Sequence, residues 1–485
     1  MMKTLKELSH KASVLRGVEY VLGWDQETYM PPGAAEARAE QIKLIASLIH
    51  QTKTSKEYKR ALSSLIDLKT GGFLSKGLSK ADQAALREWR RDYLKDSKLP
   101  TSFVEEFSKL TSIAQEVWKK ARKENAFHIF APYLEKIVQM ARKKADLLGY
   151  RDHPYDALLD LYEPELTTKL VEKTFDEVQR SIVPLIQKAP KLKSQYKKKM
   201  GVSEQLALSR VLLEKMGYDF NHGRIDLSTH PFSTAPHPTD SRITTRIHEN
   251  DPLSNILTTM HEAGHALYEM GLPHNQWGTP LGEYASMAVH ESQSRFWETR
   301  IGLSRPFWEL MAPEFKAPAE LLFRDVNLIT PSFIRVEADE ATYPLHVILR
   351  FRLEKKLIEG SLKVKDLPDI WREQMQSLLG ITPPSDTLGC LQDIHWSMGA
   401  FGYFPTYLLG TLYASHLFEA FAKKHPDWES RVRKGELTFI TAWLKNSVHR
   451  HGRTYPPLQL IERAAGKPFS PKAFLTYLHT KYPTK

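Results

Sequence analysis

His261-Glu262-Ala263-Gly264-His265 lies within a run from Asp251 to Gly271 that reads as one amphipathic helix. Asp251 is a good N-cap, and Pro252 suits the first helical position, where an amide proton has no intrahelical acceptor. Gly271 and Pro273 stop the run after Met270. On such a helix His261 and His265 stand four residues apart, so both rings leave one face and can reach the same metal ion. Glu262 lies beside them, placed to take a proton from water activated by that ion. Ile256, Leu257, Met260 and Leu267 supply the apolar face that anchors the helix in a core.

A catalytic zinc requires a third protein ligand and an open position. Downstream, His290-Glu291-Ser292-Gln293-Ser294-Arg295 offers two candidates. If residues 283–300 are helical, His290 and Glu291 point about 100° apart, so only one of them faces the metal. Glu291 shares the inward face of Tyr284, Met287 and Ala288, whereas His290 shares a face with Ser286 and Ser294. Glu291 is therefore expected as the ligand, with His290 a cleft residue or a partner of the ligands. The competing use of Glu291 is an ion pair with Arg295 at i+4.

Outward from this centre the chain has helical period, with few alternating strand patterns. Helices are expected over Ala34–His50, where Ile42, Ile45, Ala46 and Ile49 form an apolar stripe, and near 82–98, 102–124, 127–149, 166–188 and 203–216. The segment Gly217 to Arg246 is rich in His, Pro, Ser, Thr and Asp and suits a short hairpin or loops. The fold class is thus mainly α, with at most a small sheet near 220–250. No linker is evident, so residues 1–485 are expected to form a single unit with two lobes, 1–220 and 221–485. Trp396 to Phe418 carries no Lys, Arg, Asp or Glu, but Gly399, Gly402, Pro405 and Gly410 interrupt it. It reads as buried core or cleft wall rather than a membrane span.

Composition narrows the chemistry. The 485 residues are 41% apolar and 26% charged, which excludes wholesale disorder. A single cysteine, Cys390, excludes an intrachain disulfide and any multi-cysteine metal site, and fits a reducing compartment. The net charge of +11 is dispersed over helical stretches and one connection, Lys191-Leu-Lys193-Ser-Gln-Tyr-Lys197-Lys198-Lys199. With no zinc finger or aromatic-interleaved RNA motif, it points to solubility rather than to nucleic acid. The N-terminus has no apolar core of signal-peptide type.

Several separate stretches resemble one family, the Taq-type metallocarboxypeptidases. His230-Pro231-Phe232 is similar to its His-Pro-Phe element, and Asp240-Ser-Arg242-Ile-Thr244 to its Asp-x-Arg-x-Thr. His261–His265 and His290-Glu291-Ser292-Gln293 match its metal motifs. Ile334-Arg335-Val-Glu-Ala338-Asp339 resembles Ile-Arg-x-x-Ala-Asp, and Gly389-Cys-Leu-Gln392-Asp393-Ile-His395-Trp396 resembles Gly-x-x-Gln-Asp-x-His-Trp. Trp24-Asp25-Gln-Glu-Thr-Tyr-Met-Pro31-Pro32 is also similar to the family's N-terminal stretch. The likeness runs in order from about residue 20 to 410.

This resemblance implies a helical, two-lobed zinc-peptidase fold with a deep groove, a homodimer and a cytoplasmic location. It implies removal of single residues from peptide C-termini, with one Zn2+ per subunit and cobalt serving some relatives. His261, His265 and Glu291 would be ligands, Glu262 the general base, and His230 a substrate-binding residue. His395 and Tyr403 are assigned as oxyanion donors, because related helical zinc peptidases resemble this His followed by a Tyr. A free α-carboxylate calls for a planar guanidinium. Arg350 is the first candidate, since Asp339, Tyr343, His346 and Arg350 share a face if no break occurs at Pro344; Arg335 and Arg242 compete. The alternatives are a helical zinc oligopeptidase or dipeptidyl carboxypeptidase and, more remotely, a non-enzymatic basic scaffold. A zinc aminopeptidase is disfavoured by the lack of a Gly-x-Met-Glu-Asn element.

Overall fold

The computed structural model describes residues 1–190 and 192–483. Lys191, which opens the basic connection, lies outside the described residues. Lys193 and Lys197 to Lys199 are exposed on irregular backbone, as expected of a solvated connection.

The chain is mainly helical with one small sheet. The expected helices form as Ala35–Thr54, Lys80–Lys98, Thr101–Glu124, Phe127–Leu148, Thr168–Lys188 and Val202–Met216. The apolar stripe of Ala35–Thr54 behaves differently from expectation. None of its residues is fully buried, and Leu44 on the same helix is 61% exposed. That helix packs chiefly along Met2–Thr28, and a single neighbouring helix does not enclose it.

The polar segment folds into β1 (Gly223–Leu227), β2 (Ser233–His237) and β3 (Asp240–Thr245) in the order β1-β3-β2. β1 runs parallel to β3, pairing Ile225 with Ile243. β2 runs antiparallel to β3, with an irregularity between Thr234 and His237 where Pro236 cannot donate a ladder bond.

β3 and two helices are joined by a buried polar chain. Thr245 Oγ1 donates to Asn255 Oδ1 at 2.7 Å, Asn255 Nδ2 donates to Ser209 Oγ at 3.1 Å, and Ser209 meets Thr259 at 3.0 Å. Every member is satisfied, so the chain fixes the rotation of the Pro252–Gly271 helix in a way that apolar contact alone does not. Ile256, Met260 and Leu267 are buried as expected, and Leu257 is half-buried.

Two compact units emerge. One comprises Met1–Ser97, Gln195–Val326 and Leu417–Pro468; the other comprises Lys98–Ser194, Asn327–His416 and Phe469–Lys485. These differ from lobes divided at residue 220. Helices pack by face rather than by chain order: Val202–Met216 packs on Pro252–Gly271, and Tyr343–Glu359 packs on Phe127–Leu148 and Thr168–Lys188. Among the described residues, no helix is long and apolar enough to cross a membrane. The Trp396–Phe418 stretch is a set of turns followed by the Pro405–Lys424 helix.

Candidate active site

The Pro252–Gly271 helix begins as its sequence requires, with the Asp251 side chain accepting from Ser254 N at 3.3 Å. The second motif starts later than residue 283. Ser286 caps a helix at Met287–Arg295, accepting from Val289 N at 3.1 Å, and a wider π-helical turn continues it over Phe296–Gly302.

These two elements approach so closely that only glycine fits between them. A Cβ on Gly264 would lie 2.5 Å from both the Gln293 carbonyl oxygen and Ser294 Cα. The approach brings Glu291 Oε2 within 3.7 Å of His261 Nε2 and 3.5 Å of His265 Nε2. Ligand atoms of the three residues lie within 4.8 Å of one another, and no other such metal-competent group occurs among the described residues. Ligands about 2.0–2.1 Å from a tetrahedral cation stand at comparable separations, so the donor set fits a divalent metal. Glu262 is buried beside them, and that burial, reinforced by Glu291 and Glu298 against His261, pushes its carboxyl up to about 7.

The Nδ1 atoms of both histidines are engaged elsewhere, and their Nε2 atoms face Glu291. His261 Nδ1 bonds Glu298 Oε2 at 2.7 Å, and Arg295 NH1 donates to the same oxygen at 2.8 Å. Against the effect of burial, Arg295 and His261 hold the Glu298 carboxyl down at about 2. His265 Nδ1 meets His290 Nδ1 at 2.6 Å, and His290 Nε2 meets Glu269 Oε1 at 2.9 Å. His290 is thus a partner of a ligand-candidate ring. Burial and the neighbouring His290 lower His265 to about 4, which leaves the neutral imidazole that ligation requires. Glu291 and Glu298 outweigh burial at His261 and raise it to about 9; a field that holds a proton there also attracts a cation.

Glu298 escaped the sequence reading. Its only signal was its position seven residues after Glu291, two helical turns along the same face. A carboxylate that fixes a metal-bound histidine is commonly worth 10–100-fold in metal affinity. Glu298→Ala is therefore expected to weaken metal binding by about that factor while the helices persist. Competition with a chromogenic chelator measures it, and unchanged affinity would remove Glu298 from the metal site.

His230 occupies the exposed turn between β1 and β2, where its carbonyl accepts from Ser228 Oγ at 2.7 Å. Arg242 forms a two-toothed pair with Asp240, at 2.7 Å for both contacts, and lies over the Trp24 ring.

In the second unit, Asp339 does not continue the helical face that its spacing suggested. The helix is Tyr343–Glu359, and Asp339 precedes it, accepting from Thr342 N at 3.0 Å and Thr330 N at 2.9 Å. Arg350 is 0% exposed. Its Nε donates to Asp393 Oδ2 at 2.6 Å, NH1 to the His346 carbonyl at 2.7 Å and NH2 to Gln392 Oε1 at 2.7 Å. Rather than lining an open wall, it is locked inside this unit. Arg335 donates to the other oxygen of Asp393 at 2.9 Å, so one carboxylate serves two guanidinium groups.

His395 and Tyr403 come together, with ring centres 5.3 Å apart. Burial, aided by Arg335 and Arg350 against Asp393, lowers His395 to about 3, so its ring is neutral. Its Nε2 lies 3.1 Å from Tyr407 Oη, a neighbour one turn after Tyr403 that the sequence reading did not single out.

A helical chain that brings two histidine nitrogens and a buried carboxylate within reach of a single cation, with a further glutamate beside them, has the donor set of a metallopeptidase. The family model for carboxypeptidase Taq (M32) metallopeptidases matches residues 4–482. The chain is 37% identical to carboxypeptidase 1 of Bacillus subtilis strain 168, over 99% of this chain and 96% of that protein. It is also 37% identical to thermostable carboxypeptidase 1 of Pyrococcus furiosus, over 95% and 94%. The crystal structure of M32 carboxypeptidase from Deinococcus radiodurans R1 superposes with a TM-score of 0.94 at 36% identity, covering 99% of this chain and 98% of that one. The chain belongs to the carboxypeptidase Taq (M32) family and is a metal-dependent carboxypeptidase.

Proposed function

We propose that residues 1–485 form a single peptidase, which uses zinc to remove single residues from the C-termini of peptides. The observation that carries this reading is the convergence of His261 Nε2, His265 Nε2 and Glu291 Oε2, with buried Glu262 on the same helix. His261, His265 and Glu291 would hold one ion per subunit. An imidazole–carboxylate set suits zinc and also accepts cobalt. When bound, the ion supplies Lewis acidity, acidifying water and polarising the scissile carbonyl.

The protein's own groups do the rest. Glu262 accepts the proton of the attacking water and delivers it to the leaving amine. His395, neutral, and Tyr403 donate hydrogen bonds to the developing oxyanion. The Arg335–Arg350 pair carries one positive charge more than Asp393 cancels, and this excess supports a role in holding the substrate's free α-carboxylate. Arg350, fully buried, would act indirectly there by holding the Asp393 carboxylate that Arg335 shares, and the family motif adds His230 as a substrate contact. The resemblance further suggests a cytoplasmic homodimer, for which the exposed Val14, Val18, Leu44 and Leu48 offer apolar surface.

Digestion of a short peptide, followed by mass spectrometry, tests the reading. Stepwise loss of single C-terminal residues is expected, and a C-terminal amide should block it. Release of dipeptides or internal fragments would instead establish the oligopeptidase or dipeptidyl carboxypeptidase alternative.

A further inference from the structure

Between His395 and Tyr403 the chain makes two tight turns on glycines. Gly399 has φ +70° and Gly402 has φ +92°, both in the left-handed region. A Cβ on Gly402 would sit 2.6 Å from the Leu158 carbonyl group, and one on Gly399 would overlap the Phe107 ring. The turn is therefore pressed against the Pro154–Leu159 helix on one side and the Thr101–Glu124 helix on the other.

Its two ends converge on one side chain. Glu354, 0% exposed on the Tyr343–Glu359 helix, accepts from Trp396 Nε1 at 2.8 Å through Oε1. Its Oε2 accepts from Gly402 N at 3.0 Å and from Tyr155 Oη at 2.6 Å. Trp396 directly follows His395, and Gly402 directly precedes Tyr403. Burial pushes the Glu354 carboxyl up to about 7, and the three donors pull against that shift. An ionised carboxylate is an acceptor with room for all three; no neutral side chain of its size matches that.

We infer that Glu354 is a positioning residue for catalysis: its carboxylate ties residue 396 to residue 402 and so sets the spacing of His395 and Tyr403. The inference rests on the reading that these two residues stabilise the oxyanion. Glu354 is fully buried among Trp396, Gly402 and Tyr155, so it acts through the two donors rather than on substrate. Its effect is to remove freedom from a pair of donors whose geometry must match the transition state rather than the substrate.

Glu354→Gln keeps size and shape but offers a single acceptor oxygen. Whichever way the amide turns, its NH2 group faces either the Trp396 indole N–H or the Gly402 N–H, neither of which can accept. One end of the turn is released. Misplacement of catalytic groups by about 1 Å costs on the order of 100-fold. The expected result is a kcat reduced about 10–100-fold, with KM and bound zinc unchanged, and a loss that does not add to that of Tyr403→Phe. Should Glu354→Gln fail to fold, Trp396→Phe cuts the same tether from the other side while keeping an aromatic ring, and the same fall in kcat is expected.

A folded Glu354→Gln enzyme with parental kcat overturns the inference, as does a loss that appears in KM or zinc content instead. So does a Trp396→Phe enzyme of parental kcat. The underlying reading fails separately, and visibly, if His395→Gln and Tyr403→Phe both retain parental kcat.

Discussion

Glu262→Gln is expected to bind its metal normally and to lose nearly all turnover. The substitution is close to isosteric and leaves His261, His265 and Glu291 in place, together with the Glu298 and His290 contacts that orient the two rings. What disappears is the only function that an amide cannot perform, acceptance of a proton. General-base assistance is typically worth 10²–10⁴-fold, so a fall in kcat of about that size should accompany unchanged metal content. Steady-state hydrolysis of a short peptide, paired with metal analysis of the same sample, gives both numbers. A fully active variant would refute Glu262 as the base, whereas an inactive variant lacking metal would assign it a role in holding the ion.

The second large effect is expected from a single added methyl group. In Gly264→Ala the new Cβ meets main-chain atoms of Gln293 and Ser294 at 2.5 Å. Backbone cannot swing aside as the end of a flexible side chain can, so the Met287–Arg295 helix must move away from the Pro252–Gly271 helix. Glu291 rides on the element that moves, and the two histidines on the element that stays. Overpacking of this kind costs about 1–3 kcal/mol of stability. Disturbing the geometry around a metal ligand lowers affinity by roughly 10–100-fold. A thermal melt reports the first and chelator competition the second. Parental metal affinity in Gly264→Ala would show that the close approach of the two helices does not set the ligand geometry.

Both variants lie within one five-residue stretch, yet they were legible to different degrees. The role proposed for Glu262 follows from chemistry written along a single helix: neighbours at i+1 and i+4 are fixed by 3.6 residues per turn, whatever surrounds them. The reason for Gly264 cannot be read that way, because a helix-interior glycine looks only like a lost propensity until the partner helix is in place. The same distinction separates Glu291 from Glu298. Glu291 belonged to a recognisable motif and an inward face, while Glu298 became visible only through its contact with His261 Nδ1.

The arginines show the limit in another form. A regular spacing from Asp339 to Arg350 suggested one polar helix face, but the helix starts at Tyr343 and the Arg350 guanidinium is buried against Asp393, Gln392 and the His346 carbonyl. Periodicity tells which residues share a side; it does not tell whether that side meets solvent or another helix.

By itself the sequence determined the helical class, the small sheet after residue 217, the capped helix of His261 and His265, and Glu291 as the carboxylate that meets them. Each of these depends on local periodicity, local capping or ordered motifs, which the chain carries wherever it folds. The tertiary structure alone decided that the units are built from interleaved segments and that Gly264 sets the approach of two helices. It also decided that Glu298 and His290 bond the His261 and His265 rings, and that Glu354 ties the His395–Tyr403 turn at both ends. These are contacts between residues far apart in the chain, and only packing determines which of the many available carboxylates and imidazoles meet.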